Sequence, residues 1–396
     1  MNSNHREVLG AGRPLRLIVT GGGTGGHTYP ALTAVRTLQS RLTAQGTGLE
    51  VLWVGKADSL ESRVAAAEGI AFTSVATGKI RRSKNPVKLV SPSNVADMSR
   101  VPLGVLQARK AISGFRPDVV LATGGYVAVP VGVAATRLCR VPLVVHEQTV
   151  RLGLANRTLA GTAARVAVSS ESTLPLLPPS ARAAAVVTGN PVRPELFTGQ
   201  GAKAIEELGL DGFNRRLPTV YVTGGAQGSQ QINHLVRNVL PWLVEHANVI
   251  HQCGPDNVTE LRQATSHLPE AGARRYHLTG YMGAELPDVL ALVDMVLSRS
   301  GAGTIAELTA LGKPAVFVPL ASAAGNEQAH NARHLAEHGA ALALADDVSP
   351  ARLREVMAPL LTDPMLRSEM AERARSLGRP DAAERLVDVV LDAAGA

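Results

Sequence analysis

One stretch constrains this chain more than any other: Ser298-Arg-Ser-Gly-Ala-Gly-Thr-Ile-Ala-Glu-Leu-Thr-Ala-Leu-Gly-Lys-Pro-Ala-Val-Phe-Val-Pro, ending at Pro319. The apolar run Asp294 to Leu297 reads as a strand leading into it. The small residues Ser300, Gly301, Ala302 and Gly303 bring bare backbone close to whatever binds there. Thr304 to Leu311 reads as the following helix, and Val316 to Val318 opens the next strand. A strand, a glycine turn and a helix start collect free N–H groups at the positive end of a helix dipole, which suits a diphosphate. Glu307 lies one turn in, where a carboxylate accepts hydrogen bonds from ribose hydroxyls. The same residues also suit an ordinary strand–helix connection with a surface glutamate.

The pattern recurs. Leu15 to Thr20 is a strand running into Gly21-Gly-Gly-Thr-Gly-Gly-His27, and Thr219 to Thr223 runs into Gly224-Gly-Ala-Gln-Gly-Ser229. Pro30 to Leu42 has helical periodicity with its proline near the first turn, where proline is tolerated. Strands alternate with helices throughout, which predicts parallel α/β sheets. At 396 residues the chain exceeds one ordinary core. Two halves that each open on a strand and a glycine loop predict two Rossmann-like domains facing a cleft. The boundary falls near Val192 to Gln200, giving a first domain over 1–195 and a second over 196–365. Residues 349–396 are helical and charged, a tail that either closes the second domain or crosses back onto the first.

Hydrophobic residues make up 45% and aromatics 3%, so the cores must be aliphatic. No apolar run reaches the ~18 residues of a membrane span, and the start lacks a secretory h-region, so a cytosolic protein is expected. Cys139 and Cys253 have no metal spacing and read as reduced thiols. A net charge of +7 suits an anionic partner. No aromatic-studded basic stripe appears, which argues against nucleic acid.

The glycine run at 21–27 is not a dinucleotide fingerprint, because no acidic residue stands out at the end of the second strand. A Walker lysine is missing too, since His27 follows the last glycine. The loop suits a bulky anionic group, with His27 beside it to take a proton from an attacking hydroxyl. A histidine that merely caps the helix would look the same. His146-Glu147-Gln148 sits at the carboxyl end of a strand, where open α/β sheets bind ligands. Adjacent strand residues point to opposite faces, so His146 and Glu147 have different tasks. Tyr126 follows a glycine pair at another strand end. Arg193 sits near the domain junction, either reaching a phosphate or base or as a solvated linker arginine.

Six motifs occur in order: Gly-Gly-Gly-Thr-Gly-Gly-His at 21–27, Gly-Gly-Tyr-Val at 124–127, His-Glu-Gln at 146–148, Thr-Gly-Asn-Pro-Val-Arg at 188–193, Gly-Gly-Ala-Gln-Gly at 224–228 and Ser-Gly-Ala-Gly-Thr-Ile-Ala-Glu at 300–307. The set closely resembles the MurG family and covers nearly the whole chain from residue 15. The resemblance implies a GT-B fold with a C-terminal helix, 366–396, packing back on the N-terminal acceptor and membrane-side domain. It implies transfer of GlcNAc from UDP-GlcNAc to the muramyl 4-hydroxyl of undecaprenyl-pyrophosphoryl-MurNAc-pentapeptide, with inversion, at the cytoplasmic face of the cell membrane. It implies no metal and no other cofactor. Carried over, His27 is the candidate base and Glu147 a second catalytic candidate. Thr24, Gly25, Gly26, Thr149, Arg193, Ala226, Met282, Ala302, Gly303, Thr304, Glu307 and Gln328 hold the donor, with Met282 offering backbone to uracil and Glu307 meeting the ribose. Tyr126, His146, Asn156 and Asn233 line the acceptor side.

Three departures stand out. Thr149 replaces a usual Asn, Ala226 a common Ser, and Glu327 is unusual for its loop. They leave the UDP logic intact and keep open a related UDP-sugar transferase acting on another glycolipid or a secondary metabolite. A UDP-sugar epimerase of similar architecture, or a non-enzymatic nucleotide-sugar sensor, are further readings. In 79–110, Lys79, Arg81, Arg82, Lys84, Lys88, Arg100, Arg109 and Lys110 alternate with apolar residues. That mixture suits an anionic membrane surface from which a lipid acceptor is collected. A solvated helical face would carry the same charges.

Overall fold

The computed structural model describes residues 13–78, 92–320, 326–345 and 347–396. Lys79, Arg81, Arg82, Lys84 and Lys88 of the basic stretch therefore lie outside the described residues. The chain divides into two compact units, Met1–Pro191 with Asp381–Ala396, and Val192–Pro380.

In the first unit seven strands form one parallel sheet: β1 (Leu15–Gly21), β2 (Leu49–Gly55), β3 (Ala71–Ser74), β4 (Val119–Gly124), β5 (Leu143–Glu147), β6 (Arg165–Val168) and β7 (Ala185–Val187). Their order is β3-β2-β1-β4-β5-β6-β7. The central strands read as near-continuous apolar runs because helices cover both faces. Leu17, Ile18, Val19, Val120, Leu121 and Val144 are all buried. The chain builds outward from β1 to β3 and then returns to the other side with β4. That reversal between β1 and β4 is the switch point at which such sheets bind ligands.

The second unit repeats the plan with β8 (Thr219–Thr223), β9 (Asn248–Gln252), β10 (Tyr276–Thr279), β11 (Met295–Ser298), β12 (Ala315–Phe317) and β13 (Leu342–Ala343). The order β10-β9-β8-β11-β12-β13 places its switch point between β8 and β11, the strands that feed Gly224–Ser229 and Ser300–Gly303.

Three boundaries differ from the sequence reading. The first long helix begins at Gly25, so Pro30 sits in its second turn. There the missing N–H leaves the Gly26 carbonyl without its helical partner. Residues 366–396 are not one helix returning to the first domain. Pro364–Leu377 packs on the helix Ala302–Leu311 in the second unit, and only Ala382–Ala394 joins the first. Pro380 enforces that break, because a proline disfavours helix at the residue before it. The units divide between Pro191 and Val192, so Arg193 belongs to the second unit and not to a domain ending at 195.

The final helix has a clear reason to join the first unit. Leu386, Val387, Val389 and Val390 are buried among Leu15, Val35, Leu38 and Ala167. Arg41 and Arg165 pair with Asp388 and Asp392 along its polar edge.

Candidate functional site

In the first unit the loop after β1 turns through Gly23, at φ +82°, before Thr24 begins the helix Gly25–Ala44. Thr24 offers no side-chain cap to that helix, so the N–H groups around Gly25 and Gly26 stay open to a ligand. Glu61 holds the loop from below. It is 1% exposed, accepts Gly23 N–H at 3.1 Å, and lies where any side chain on Gly22 would have to go. The Tyr126 ring lies against Gly23 from the other side.

His27 is tied down through its backbone and ring. Its carbonyl accepts from Thr123 Oγ1 at 2.8 Å, and its ring lies over Gly124, at φ +104°, where a Cβ would crowd the imidazole. His27 Nδ1 is 2.9 Å from Gln148 Oε1. Gln148 Nε2 is 3.0 Å from His146 Nδ1 and 2.9 Å from the His146 carbonyl. His146 Nε2 is 3.0 Å from the Gly189 carbonyl. Burial drives His146 down to a pKa of about 4, partly opposed by the Gly189 hydrogen bond and reinforced by His27. It is therefore neutral at neutral pH.

Glu147 points to the opposite face, as strand alternation requires. It is 2% exposed. Thr149 N–H and Oγ1 lie 3.1 and 2.8 Å from Oε1, while Gly153 N–H and Asn156 Nδ2 lie 2.8 and 3.0 Å from Oε2. Three N–H groups donate to the carboxylate, while the single hydrogen of the Thr149 hydroxyl is shared with the Arg151 carbonyl, 2.6 Å from Oγ1. In this geometry Glu147 organises the 149–156 loop, with its carboxylate turned to that loop's N–H groups. Thr149, expected on the donor, sits in this unit and serves Glu147. Thr24, Gly25 and Gly26 also lie in the first unit.

In the second unit the helix Ala302–Leu311 starts after Gly301 with no capping side chain, so its first N–H groups are unpaired within the helix. Ser300 beneath it is fully buried, its Oγ donating to the Gln328 carbonyl at 2.8 Å. Gln328 Oε1 accepts Leu320 N–H at 2.9 Å. Glu307 pairs with Arg193 at 3.0 Å. Burial raises the Glu307 carboxyl above its ordinary value, and Arg193 partly offsets this. Ala226 is exposed at the tip of the Gly224–Ser229 loop. Met282 is buried in the apolar cluster around Phe317 and Leu308.

Asn233, expected on the acceptor side, lies in the second unit with its amide committed. Nδ2 donates to the Cys253 carbonyl at 2.9 Å, and Oδ1 is 3.1 Å from His251 Nε2.

Three residues escaped the sequence reading as site members: Glu61, Gln148 and Asn190. Asn190 is 5% exposed with neither amide atom hydrogen-bonded. Gln148 carried a legible signal, since period-2 alternation sets it on the same face as His146. Glu61 carried none, because only the sheet order brings its helix under the first glycine loop.

Residues 17–168 match the Glycosyltransferase family 28 N-terminal domain, and residues 219–386 match the Glycosyltransferase family 28 C-terminal domain. The chain is 32% identical over 385 residues to the UDP-N-acetylglucosamine–N-acetylmuramyl-(pentapeptide) pyrophosphoryl-undecaprenol N-acetylglucosamine transferase of Halothermothrix orenii, covering 96% of this chain and 99% of that one. The protein of the same name from Bacillus subtilis is 32% identical, with coverages of 95% and 99%. Among solved structures, Acinetobacter baumannii MurG superposes with a TM-score of 0.73 at 26% identity, covering 96% of this chain and all of that one. The UDP-GlcNAc 2-epimerase from Neisseria meningitidis reaches a TM-score of 0.63 at 15% identity, covering 95% of this chain and 99% of that one, a likeness of fold alone. With matching domains in both halves and such relatives along nearly its whole length, the chain belongs to the MurG family of glycosyltransferases.

Proposed function

We propose that the protein transfers GlcNAc from UDP-GlcNAc to the muramyl 4-hydroxyl of undecaprenyl-pyrophosphoryl-MurNAc-pentapeptide, in peptidoglycan synthesis. Relatives bearing that transferase name along almost the full chain support the reaction. The observation that carries the chemistry is the uncapped start of Ala302–Leu311 beside the Arg193–Glu307 pair. Its N–H groups suit the diphosphate, and Glu307 suits the ribose hydroxyls. In the step itself, His27 Nε2 takes the proton of the 4-hydroxyl as that oxygen bonds to the anomeric carbon. The bond from that carbon to the UDP oxygen breaks, inverting the sugar. UDP leaves with the electron pair, and the N–H groups at the helix start stabilise its charge.

The same reading has the enzyme working peripherally on the cytoplasmic face of an anionic membrane. No helix among the described residues is long and apolar enough to cross a membrane. On the helix Pro92–Phe115, Leu103 and Leu106 are 52% and 59% exposed beside the exposed Arg109 and Lys110. Such a face suits docking onto anionic lipid.

The deciding assay measures transfer of radiolabelled GlcNAc from UDP-GlcNAc to a lipid I analogue, with UDP-glucose and UDP-GalNAc in parallel. Transfer of GlcNAc with the other donors poor is the expected result. Binding of UDP without transfer to the analogue would move the assignment to a relative with another acceptor.

A further inference from the structure

A buried chain of polar groups runs from β7 to the first glycine loop, and its hydrogens can be assigned from the acceptors alone. A backbone carbonyl only accepts, so His146 Nε2, 3.0 Å from the Gly189 carbonyl, carries a proton. A neutral imidazole then has a lone pair on Nδ1. The Gln148 atom 2.9 Å from the His146 carbonyl must be its NH2, for the same reason, which settles the direction of the amide. Its second hydrogen points at His146 Nδ1, 3.0 Å away. Gln148 Oε1 is thereby turned toward His27 Nδ1 at 2.9 Å and can only accept. His146 and Gln148 are 0% and 4% exposed, so water does not compete for these positions.

We propose that Gln148 is a positioning residue that holds His27 as its Nδ1–H tautomer, so that the Nε2 lone pair is the one offered to the acceptor hydroxyl. His146 and the Gly189 carbonyl set the direction of the Gln148 amide, and Gln148 in turn sets the proton on His27. The neutral histidine side chain otherwise favours the Nε2–H form, which would present a proton where a base is needed. This inference rests on His27 acting as the base. Gln148 itself touches no reacting atom.

The test is heteronuclear NMR on the full chain labelled with 15N-histidine, with the His27 ring signals assigned by their loss in His27→Gln. At a pH where His27 is neutral, wild type should show Nδ1 protonated and Nε2 bare. A wild-type Nε2–H tautomer overturns the inference without any variant being needed. Gln148→Leu, which keeps the volume and removes the amide, should shift His27 toward the Nε2–H form. Its kcat should fall roughly 10- to 100-fold, part of what a positioned base contributes, with KM for UDP-GlcNAc changed less than about twofold. Retention of the Nδ1–H form, or of full turnover, in Gln148→Leu overturns the role of Gln148. If wild type has the Nδ1–H form but His27→Ala keeps full turnover, the tautomer assignment stands and the reading of His27 as base fails.

Discussion

Arg193 Nε and Nη2 both lie 3.0 Å from a single oxygen of Glu307, Oε1, so the guanidinium fork leaves Oε2 outside its grip. A carboxylate held by one oxygen can accept hydroxyls with the other. Glu307→Gln should weaken UDP binding about 10- to 100-fold, since a hydrogen bond to a charged group contributes about 1.5–3 kcal/mol. Isothermal titration calorimetry measures it directly. An unchanged affinity would remove Glu307 from the ribose site.

The same carboxylate should make UDP binding pH-dependent. Burial lifts its pKa above 4.5 in the free protein, and donated ribose hydroxyls favour the ionised form. Affinity should therefore fall as pH drops through that raised value. Glu307→Gln should lack this component of the slope, and equal slopes in the two proteins would count against the contact.

His27→Ala should lower kcat by about 10²- to 10⁴-fold, the range for a positioned general base, while KM for UDP-GlcNAc changes little. Steady-state kinetics with a lipid I analogue separates the two constants. A change in KM alone would make His27 a binding residue.

Two buried histidines should make the fold sensitive to acid. Burial depresses His146 from 6.5 to about 4 and His251 to about 3. Between pH 6.5 and about 4 the unfolded chain binds protons that the folded chain refuses, so stability rises with pH. It is lost as pH falls through that window, by up to about 1.4 kcal/mol per pH unit for each histidine. Thermal unfolding at pH 7, 6 and 5 tests this, and His251→Asn should flatten the dependence of the second unit. A melting temperature indifferent to pH across this range would contradict it.

Leu103→Glu combined with Leu106→Glu should reduce co-sedimentation with vesicles containing anionic lipid. Turnover of a water-soluble acceptor should stay within about twofold, since surface changes away from buried features usually perturb stability by no more than ~0.5 kcal/mol. Undiminished sedimentation would show that this face is not the docking surface.

Leu386→Ala should destabilise the first unit by about 2–5 kcal/mol, as expected for a buried leucine truncation. UDP affinity, a property expected of the second unit, should stay unchanged. Denaturant melts followed alongside UDP binding would separate the two. Loss of UDP binding in step with the earlier melting of the first unit in Leu386→Ala would contradict the assignment.

Much of the protein is determined by the sequence alone, because the relevant signals are local. Apolar runs into glycine loops mark β1, β8 and β11, and the ordered motifs carry the family and the GT-B class. Helix starts and small residues near Ala302 follow from backbone chemistry within a few positions. Contacts between distant segments were decided only by the tertiary structure. A hydrophobic pattern says which face is buried and not against what; the family resemblance returned 366–396 to the first domain, and only the folded chain shows that Ala382–Ala394 alone joins it. The N–H groups of Thr149, Gly153 and Asn156 converge on Glu147 only in the folded chain, and no spacing in the sequence announces them. Strand order brings Gln148 against His27 across 121 residues of sequence. The direction of a buried amide depends on every neighbour at once, and only the folded chain supplies them.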